Sequence, residues 1–369
     1  MKLAFLSGAR SEYGLAKSLL RCIEEDSRFQ LEIIVCGMHL VDKYGCTVNE
    51  ILEDGFEISE SVDTYSENCD AKSTEFSRTV EKMSSVLLLR MPDAVLIIGD
   101  RLEAYASALA AHFVGIPIIH SGGGHITSGA VDNIYRYNIS NLASLHLTTS
   151  ISAYERLRKC PVVDESLVHF VGSVAVDAIK KFRNDPVSIS EYVPELQGVN
   201  YVLATLHPVT GLKEPINNIL QSIVDVVSRR GDFVLITYPN NDEGAESIIE
   251  VIESNRGRDS VCVVESLGAS GYYAALNDCR FVIGNSSSGL SEAPYFFKTS
   301  LNIGSRQTGR DKDIGVIDVP PRPEEVELAI ETVYENREHP TNCNYLYGNG
   351  NSSGLAISLI AHHFRVHGT

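Results

Sequence analysis

Short β-branched runs alternate with amphipathic stretches along most of the chain, the pattern that parallel α/β units produce. In the first half, Leu3–Leu6, Leu31–Val35, Ala94–Ile98, Ile116–Ile119, His146–Thr149 and His169–Val171 read as strands. Between them, Leu15–Glu24 and Glu103–His112 repeat apolar residues at helical spacing. The alternation breaks at Lys181–Val199, a polar stretch with two prolines that reads as a linker holding one short helix. A second series follows: Tyr201–Leu206, Phe233–Tyr238, Val261–Val264, Phe281–Ile283, Ser300–Ile303 and Val316–Val319. The tail from Gly354 to His367 predicts one more helix. The expected organisation is α/β, with doubly wound parallel-sheet domains over residues 1–180 and 200–350, a linker at 181–199 and a C-terminal helix within 351–369. Such sheets bind ligands beyond the carboxyl ends of their strands, so the chemistry is expected there, in a cleft between the two halves.

Composition narrows the class of function. The 369 residues suffice for two cores, and 44% apolar with 21% charged residues is ordinary for a globular chain. A net charge of −17 argues against a nucleic-acid-binding face, which needs clustered Lys and Arg. It leaves room for a phosphorylated small molecule, which needs only a few arginines and helix N-termini. The first apolar run ends at Gly8, too short for a signal peptide, and no stretch approaches the length of a membrane span, so a cytoplasmic protein without membrane contact is expected. None of the eight cysteines forms a C-x-x-C pair, which favours buried reduced thiols over disulfides or zinc. No metal site is expected, and no cofactor.

The residues with chemical potential follow the strands. Gly8-Ala9-Arg10 lies between a strand and a helix, where the backbone can approach a phosphate and Arg10 can bind it bidentately. Gly99-Asp100-Arg101 ends the Ala94–Ile98 strand; Asp100 there suits a helix N-cap as well as a carboxylate aimed at a ligand. The loop from His120 to Asn133 holds Gly122, Gly123 and Gly124 in succession, implying close backbone approach, with His120, His125 and Asp132 as acid–base candidates. His207 closes the first strand of the second half, and Tyr238-Pro239 opens the matching turn after the next. The strongest local signal is Gly284-Asn285-Ser286-Ser287-Ser288-Gly289, whose backbone N–H groups and hydroxyls suit an anion at a helix N-terminus. Glu292, two turns into that helix, is placed to reach ribose hydroxyls, and Arg306 and Arg310 follow the next strand. Neither G-x-x-x-x-G-K-[ST] nor G-x-G-x-x-G occurs, which disfavours ATPase and nicotinamide chemistry.

These segments together resemble the hydrolysing UDP-N-acetylglucosamine 2-epimerases of sialic-acid and legionaminic-acid synthesis. The likeness runs from residue 1 to about residue 350, through SGARSEYGL, CGMHLVDKYG, GDRLEA, the Gly-rich loop with AVD at Ala130–Asp132, TLHPVT, YPNND, GNSSSGLSEAP and NIGSRQTGR. It implies a glycosyltransferase-B-like pair of Rossmann-like domains, the second holding UDP and the first supplying much of the sugar site. It also implies a homo-oligomer. Ser286, Ser287 and Glu292 match the UDP-binding segment; Asp100, Arg101 and His207 match functional positions. Departures fall in the Gly-rich loop: His125 stands where relatives often have an acidic residue, Gly122 where they often have an acidic residue or a His, Asn133 replaces the second Asp of a pair, and Tyr137 replaces a His.

The implied reaction has two stages. A base takes the C2 proton as UDP leaves C1, giving a 2-acetamidoglucal, and water then adds with inversion at C2. Asp100, Asp132 and His125 are the acid–base candidates, with Asp100 preferred. Arg10, His207 and the Ser286–Ser288 turn would stabilise the departing diphosphate. The expected products are UDP and N-acetylmannosamine. The alternatives are the same reaction on a UDP-2,4-diacetamido-trideoxyhexose, a glycosyltransferase on the same fold, and a non-catalytic UDP-sugar-binding protein.

Overall fold

A computed structural model describes residues 1–42, 46–64, 72–127, 132–209, 215–239, 244–336 and 340–366. They form two compact units. The first takes in Met1–Ile126, continues to Asp177 and resumes at Tyr347; the second spans Ala178–Leu346.

Seven strands build the first unit: β1 (Lys2–Ser7), β2 (Gln30–Cys36), β3 (Glu60–Val62), β4 (Ala94–Ile98), β5 (Ile118–Ser121), β6 (Leu145–Thr148) and β7 (Val168–Phe170). Its helices are α1 (Arg10–Glu25), α2 (Val48–Glu53), α3 (Lys72–Arg90), α4 (Leu102–Val114), α5 (Asp132–Leu142), α6 (Ile151–Arg158) and α7 (Val174–Asn184). The strand order is β3-β2-β1-β4-β5-β6-β7, with every pair parallel. A sheet covered on both faces has no polar side to alternate with, so its strands are continuously apolar. All five residues of β4, Ala-Val-Leu-Ile-Ile, are buried accordingly.

The second unit repeats the plan with β8 (Tyr201–Thr205), α8 (Ile216–Arg229), β9 (Phe233–Thr237), α9 (Ala245–Asn255), β10 (Val261–Val264), α10 (Gly268–Asp278), β11 (Val282–Gly284), α11 (Ser288–Ser291), β12 (Ser300–Ile303), β13 (Val316–Val319) and α12 (Pro323–Glu335). Its parallel sheet runs β10-β9-β8-β11-β12-β13. The strand order therefore reverses between β1 and β4 in one unit and between β8 and β11 in the other. These are the switch points beyond which open α/β sheets bind their ligands. The turns singled out in the sequence, Gly8–Arg10, Gly99–Arg101, Leu206–His207 and Asn285–Ser288, all follow these four strands.

The polar stretch 181–199 packs within the second unit. The unit boundary falls inside α7, and Ile189, Val193 and Leu196 behind the prolines are buried in the second unit. Asp278 accepts hydrogen bonds from the Ile189 amide and the Ser188 hydroxyl, which anchors that segment to α10. The C-terminal helix α13 (Ser352–His363) packs in the first unit, against α1. Both oxygens of Asp177 accept amides at its start, from Ser352 and Ser353 at 2.8 Å, which satisfies two donors that a helix N-terminus leaves without a partner.

Two strands differ from the sequence reading. The β5 strand starts two residues later than expected, because the Ile116 amide caps α4 on the Ala111 carbonyl and Pro117 has no amide to give. Strand β3 is three residues long, too short for a periodicity to show. All seven described cysteines are free, but Cys22, Cys46 and Cys160 are partly exposed rather than buried, and Cys69 lies outside the described residues. No helix among the described residues is long and apolar enough to cross a membrane.

Gly284 marks the tightest point of the second sheet. Its φ is +147°, and a Cβ there would lie 1.9 Å from the Thr205 carbonyl oxygen of β8. Gly284→Ala is expected to cost more than about 3 kcal/mol, because neither backbone can move without breaking the sheet. Gly14→Ala, in the exposed middle of α1 with nothing within 4 Å of the added carbon, should instead stabilise by about 1 kcal/mol. Urea unfolding of the two variants measures both, and equal effects would contradict this account of Gly284.

Candidate active site

The first switch point is lined by a buried polar network. Glu12, in the first turn of α1, folds back so that Oε2 accepts the Gly8 amide at 2.7 Å, the Ala9 amide at 3.2 Å and the Ser7 hydroxyl at 3.2 Å. Burial, and then the nearby Glu103, push its carboxyl up to about 8 against those amide bonds. Glu12 is therefore a neutral acid near pH 7, and with Oε2 occupied by donors the proton resides on Oε1. Ser7 Oγ also meets His39 Nε2 at 2.9 Å, and His39 Nδ1 meets Thr47 Oγ1 at 2.9 Å. The network ties the β1–α1 turn to the segment after β2. Arg10, on the exposed side of the same turn, pairs through Nε with Glu50 at 2.8 Å.

Across the switch point, Asp100 follows β4 and is held from two directions. His120 on β5 lies 2.9 Å from the Gly99 carbonyl through Nε2 and 2.9 Å from Ser140 Oγ through Nδ1. A carbonyl can only accept, so Nε2 carries the proton and Nδ1 accepts from the serine. Burial pushes this histidine down to about 4, which keeps it neutral. The second hold is Arg136, nearly fully buried on α5. Its Nη2 donates to Asp100 Oδ2, and its Nη1 donates to the His125 carbonyl at 2.8 Å and to Asn133 Oδ1 at 2.7 Å. One guanidinium thus gathers the β4 turn, the Gly-rich loop and the start of α5.

The glycines of that loop have a protein-based reason. A Cβ on Gly124 would lie 2.3 Å from the Ala153 carbonyl oxygen of α6, and one on Gly123 would strike Ser140 Oγ at 2.7 Å. His125 is half-buried, with Nε2 2.7 Å from Thr149 Oγ1. Asp132 is exposed at the start of α5, one turn before Arg136. Residues 128–131, including Ala130 and Val131 of the AVD motif, lie outside the described residues, as do Lys43–Gly45 of CGMHLVDKYG, Thr210 of TLHPVT and Asn240–Asp242 of YPNND.

In the second unit, Asn285 joins its two turns. Its Oδ1 accepts the His207 amide at 2.7 Å and its Nδ2 donates to the His207 carbonyl at 2.8 Å. The Asn285 carbonyl accepts from Gln307 at 2.8 Å and Arg306 at 3.3 Å, which draws in the turn after β12. Ser288 Oγ bonds Ser286 Oγ at 3.0 Å and Tyr272 Oη at 2.6 Å. Burial and Arg306 push His207 down to about 3, so the imidazole is neutral and offers hydrogen bonds rather than charge. The positive charge at this turn belongs to Arg306.

The continuous helix expected after Ser287 does not form. α11 is a single turn, Glu292 has left helical backbone (φ −122°, ψ −49°), and Pro294 opens a 3-10 turn over Ala293–Phe296. Glu292 therefore stands at the end of one turn, not two turns along. Burial pushes its carboxyl up to about 7 beside Tyr272 and Tyr273.

The structure thus brings together Asp100 and the His125 loop in one unit, and His207, Asn285, Ser286, Ser288 and Arg306 in the other. Arg101 stays exposed, 3.9 Å from Glu103. His120, considered for acid–base chemistry, instead positions the Asp100 turn. Sequence reading missed the central place of Arg136, the Glu12 network and Tyr272. The spacing of Asn133 and Arg136 on one helix face was the available signal for the first.

His120 has a lowered folded pKa, so its stabilising effect is complete above the unfolded value of about 6.5 and is lost as pH falls toward 4. The stability lost in His120→Leu relative to wild type should therefore shrink by about 2 kcal/mol between pH 7.5 and pH 5. Urea unfolding at the two pH values tests this; a difference independent of pH would mean that the imidazole is not held neutral.

The family model described as UDP-N-acetylglucosamine 2-epimerase matches residues 21–361. The chain is 29% identical to the UDP-N,N'-diacetylbacillosamine 2-epimerase (hydrolyzing) of Legionella pneumophila, over 97% of this chain and 95% of that one. It is 30% identical to the GDP/UDP-N,N'-diacetylbacillosamine 2-epimerase (hydrolyzing) of Campylobacter jejuni, covering 86% and 84% of the two. The fold is that of the Neisseria meningitidis UDP-GlcNAc 2-epimerase crystallised with UDP-GlcNAc, with a TM-score of 0.83 at 18% identity over 98% of this chain and all of that one. Two parallel-sheet Rossmann-like units, the ordered motifs and a family match over most of the length lead to one conclusion: the chain belongs to the UDP-N-acetylglucosamine 2-epimerase family.

Proposed function

We propose that this chain is a hydrolysing 2-epimerase that converts UDP-N-acetylglucosamine and water to UDP and N-acetylmannosamine, for sialic-type acid synthesis in the cytoplasm. The observation that carries the reading is the pairing of Asp100 with buried Arg136 beside the Gly-rich loop. It holds a carboxylate in a fixed orientation at a switch point, as a base acting on a barely acidic C–H must be held. Asp100 takes the C2 proton while the C1–O bond to UDP breaks, leaving a 2-acetamidoglucal. Water then adds its oxygen at C1, and a proton returns to C2 on the opposite face. His125 and Asp132 are the groups proposed for that second proton transfer. In the second unit, Ser286, Ser287 and Ser288 bind UDP with Asn285, Glu292 and Arg306, and His207 donates a hydrogen bond to the diphosphate. Arg10 and Arg101 add exposed charge near their turns, Arg10 once it leaves Glu50.

A second substrate is favoured by a specific finding. Two hydrolysing relatives, one of them matched along nearly its whole length, are named for UDP-N,N'-diacetylbacillosamine. The alternative reading is therefore the same reaction on a UDP-2,4-diacetamido-2,4,6-trideoxyhexose. The altered loop positions Gly122 and His125 stand where such a preference would be set.

Incubation of the purified protein with each UDP-sugar, without acceptor, should release UDP and a free 2-epimerised sugar, identified by NMR. UDP-sugar epimerised but still attached to UDP would show a non-hydrolysing enzyme, and binding without turnover would show a sensor. Asp100→Asn should lower kcat at least about 100-fold with UDP affinity nearly intact. Glu292→Ala should weaken UDP binding about 10-fold in calorimetry. EDTA should leave the activity unchanged; loss with EDTA and recovery with a divalent ion would overturn the metal-free scheme.

A further inference from the structure

A cavity of about 820 Å³ opens in the first unit, lined by Arg28, His169, His362, His363 and Arg365, the hydroxyls of Ser166 and Ser358, and a few aliphatic side chains. It lies away from the site described above. Arg28 precedes β2 and Ser166 precedes β7, so in an all-parallel sheet the cavity sits toward the amino ends of the strands, whereas Asp100 and Glu12 stand beyond the carboxyl ends.

From this lining we infer that the cavity is a second ligand site, for a small organic anion carrying phosphate or carboxylate groups. The chain has 48 acidic residues against 31 Lys and Arg. Yet no Asp or Glu is among the described residues that line the cavity, while five basic side chains are. They come from three separate parts of the fold: the α1–β2 turn, β7, and the end of α13 with the residues after it. Basic residues in the last turn of a helix complement its dipole when they are protonated, which accounts for the placing of His362 and His363. It does not account for Arg28, His169 or Arg365 facing the same space. Arg28 is held in place by Asp26, which chelates its guanidinium with Nη2 at 2.6 Å, a contact that orients the cation without lying on the cavity wall.

Electrostatics supports the same reading. Burial and the neighbouring histidines push His169 down, and burial with His362 pushes His363 down. A bound anion would reverse that mutual repulsion. The volume falls within the range of about 300–1,000 Å³ typical of small-molecule sites, and two arginines and three imidazoles beside aliphatic groups suit an anion with an apolar part, while the Ser166 and Ser358 hydroxyls already donate to Asp164 and to the Gly354 carbonyl. Such a ligand would clamp α13 to β7 and the α1–β2 turn.

The test uses the full-length protein with its histidines carbon-13 labelled, titrated separately with pyrophosphate and with citrate at constant ionic strength set by sodium chloride. The His169 and His363 signals, assigned by His→Gln substitution, should shift saturably with a dissociation constant below about 1 mM. The shifts should weaken at least 10-fold in a His363→Gln/Arg365→Gln variant whose thermal unfolding and UDP-sugar turnover match wild type. Saturation by pyrophosphate alone identifies a phosphate ligand, by citrate alone a carboxylate ligand, and by both a site that reads charge. Shifts no larger than those from sodium chloride, or equal in the double variant, would overturn the proposal. If the double variant is unstable, Ser358→Glu, on the exposed side of α13, places a negative charge at the rim and should abolish the shifts instead; their persistence would overturn the proposal equally.

Discussion

A guanidinium that is almost fully removed from water must give its donors to acceptors, or the fold bears the full cost of burying a charge. Arg136 meets this requirement with the Asp100 carboxylate, the His125 carbonyl and the Asn133 side chain. Those acceptors come from three segments of chain, so satisfying one side chain fixes the relative position of all three. The candidate base, the Gly-rich loop and the start of α5 are thereby parts of one arrangement. The loop's altered positions bear on this directly: Arg136 reads a backbone carbonyl at residue 125, so the side chain there is free to vary without loosening Asp100.

The second unit solves the same problem with a neutral group. Asn285 is fully buried and engages both the amide and the carbonyl of His207, while its own carbonyl collects Arg306 and Gln307. A side-chain amide can pair with a peptide group in both directions, which a carboxylate or an ammonium cannot. Gly284 permits this by bringing β11 against β8 with no side chain between them. The three turns that form the candidate nucleotide side are therefore joined through one asparagine.

Burial also sorts the protons. His39, His120, His146 and His207 are each pushed down to about 4 or lower and stay neutral, chiefly because a low-dielectric surrounding disfavours the charged ring. The same effect pushes Glu12 up to about 8 and Glu292 to about 7. In a chain of net charge −17, the formal charge inside the two switch points is thus confined to the Asp100–Arg136 pair, Glu103 with its neighbour Arg101, and Arg306.

The sequence by itself determined the architecture and the turns that stand at the two switch points. Strand periodicity, turn residues and ordered motifs are local properties, and each is written in adjacent residues. The β1, β4, β8 and β11 turns could be read for that reason. What tertiary structure decided was which distant groups meet. The partners of Arg136 lie up to 36 residues away, and those of Asn285 lie 78 residues away in His207 and 22 in Gln307, separations that no local pattern records. Segment 181–199 shows the same limit, since its prolines suggest a linker and only packing reveals Ile189, Val193 and Leu196 as anchors. Glu292 left its expected helix because Pro294 cannot continue one, a local cause legible in the sequence, but its place beside Tyr272 was not. Burial depends on the whole fold, and with it the protonation of the histidines and carboxyls that line the two switch points.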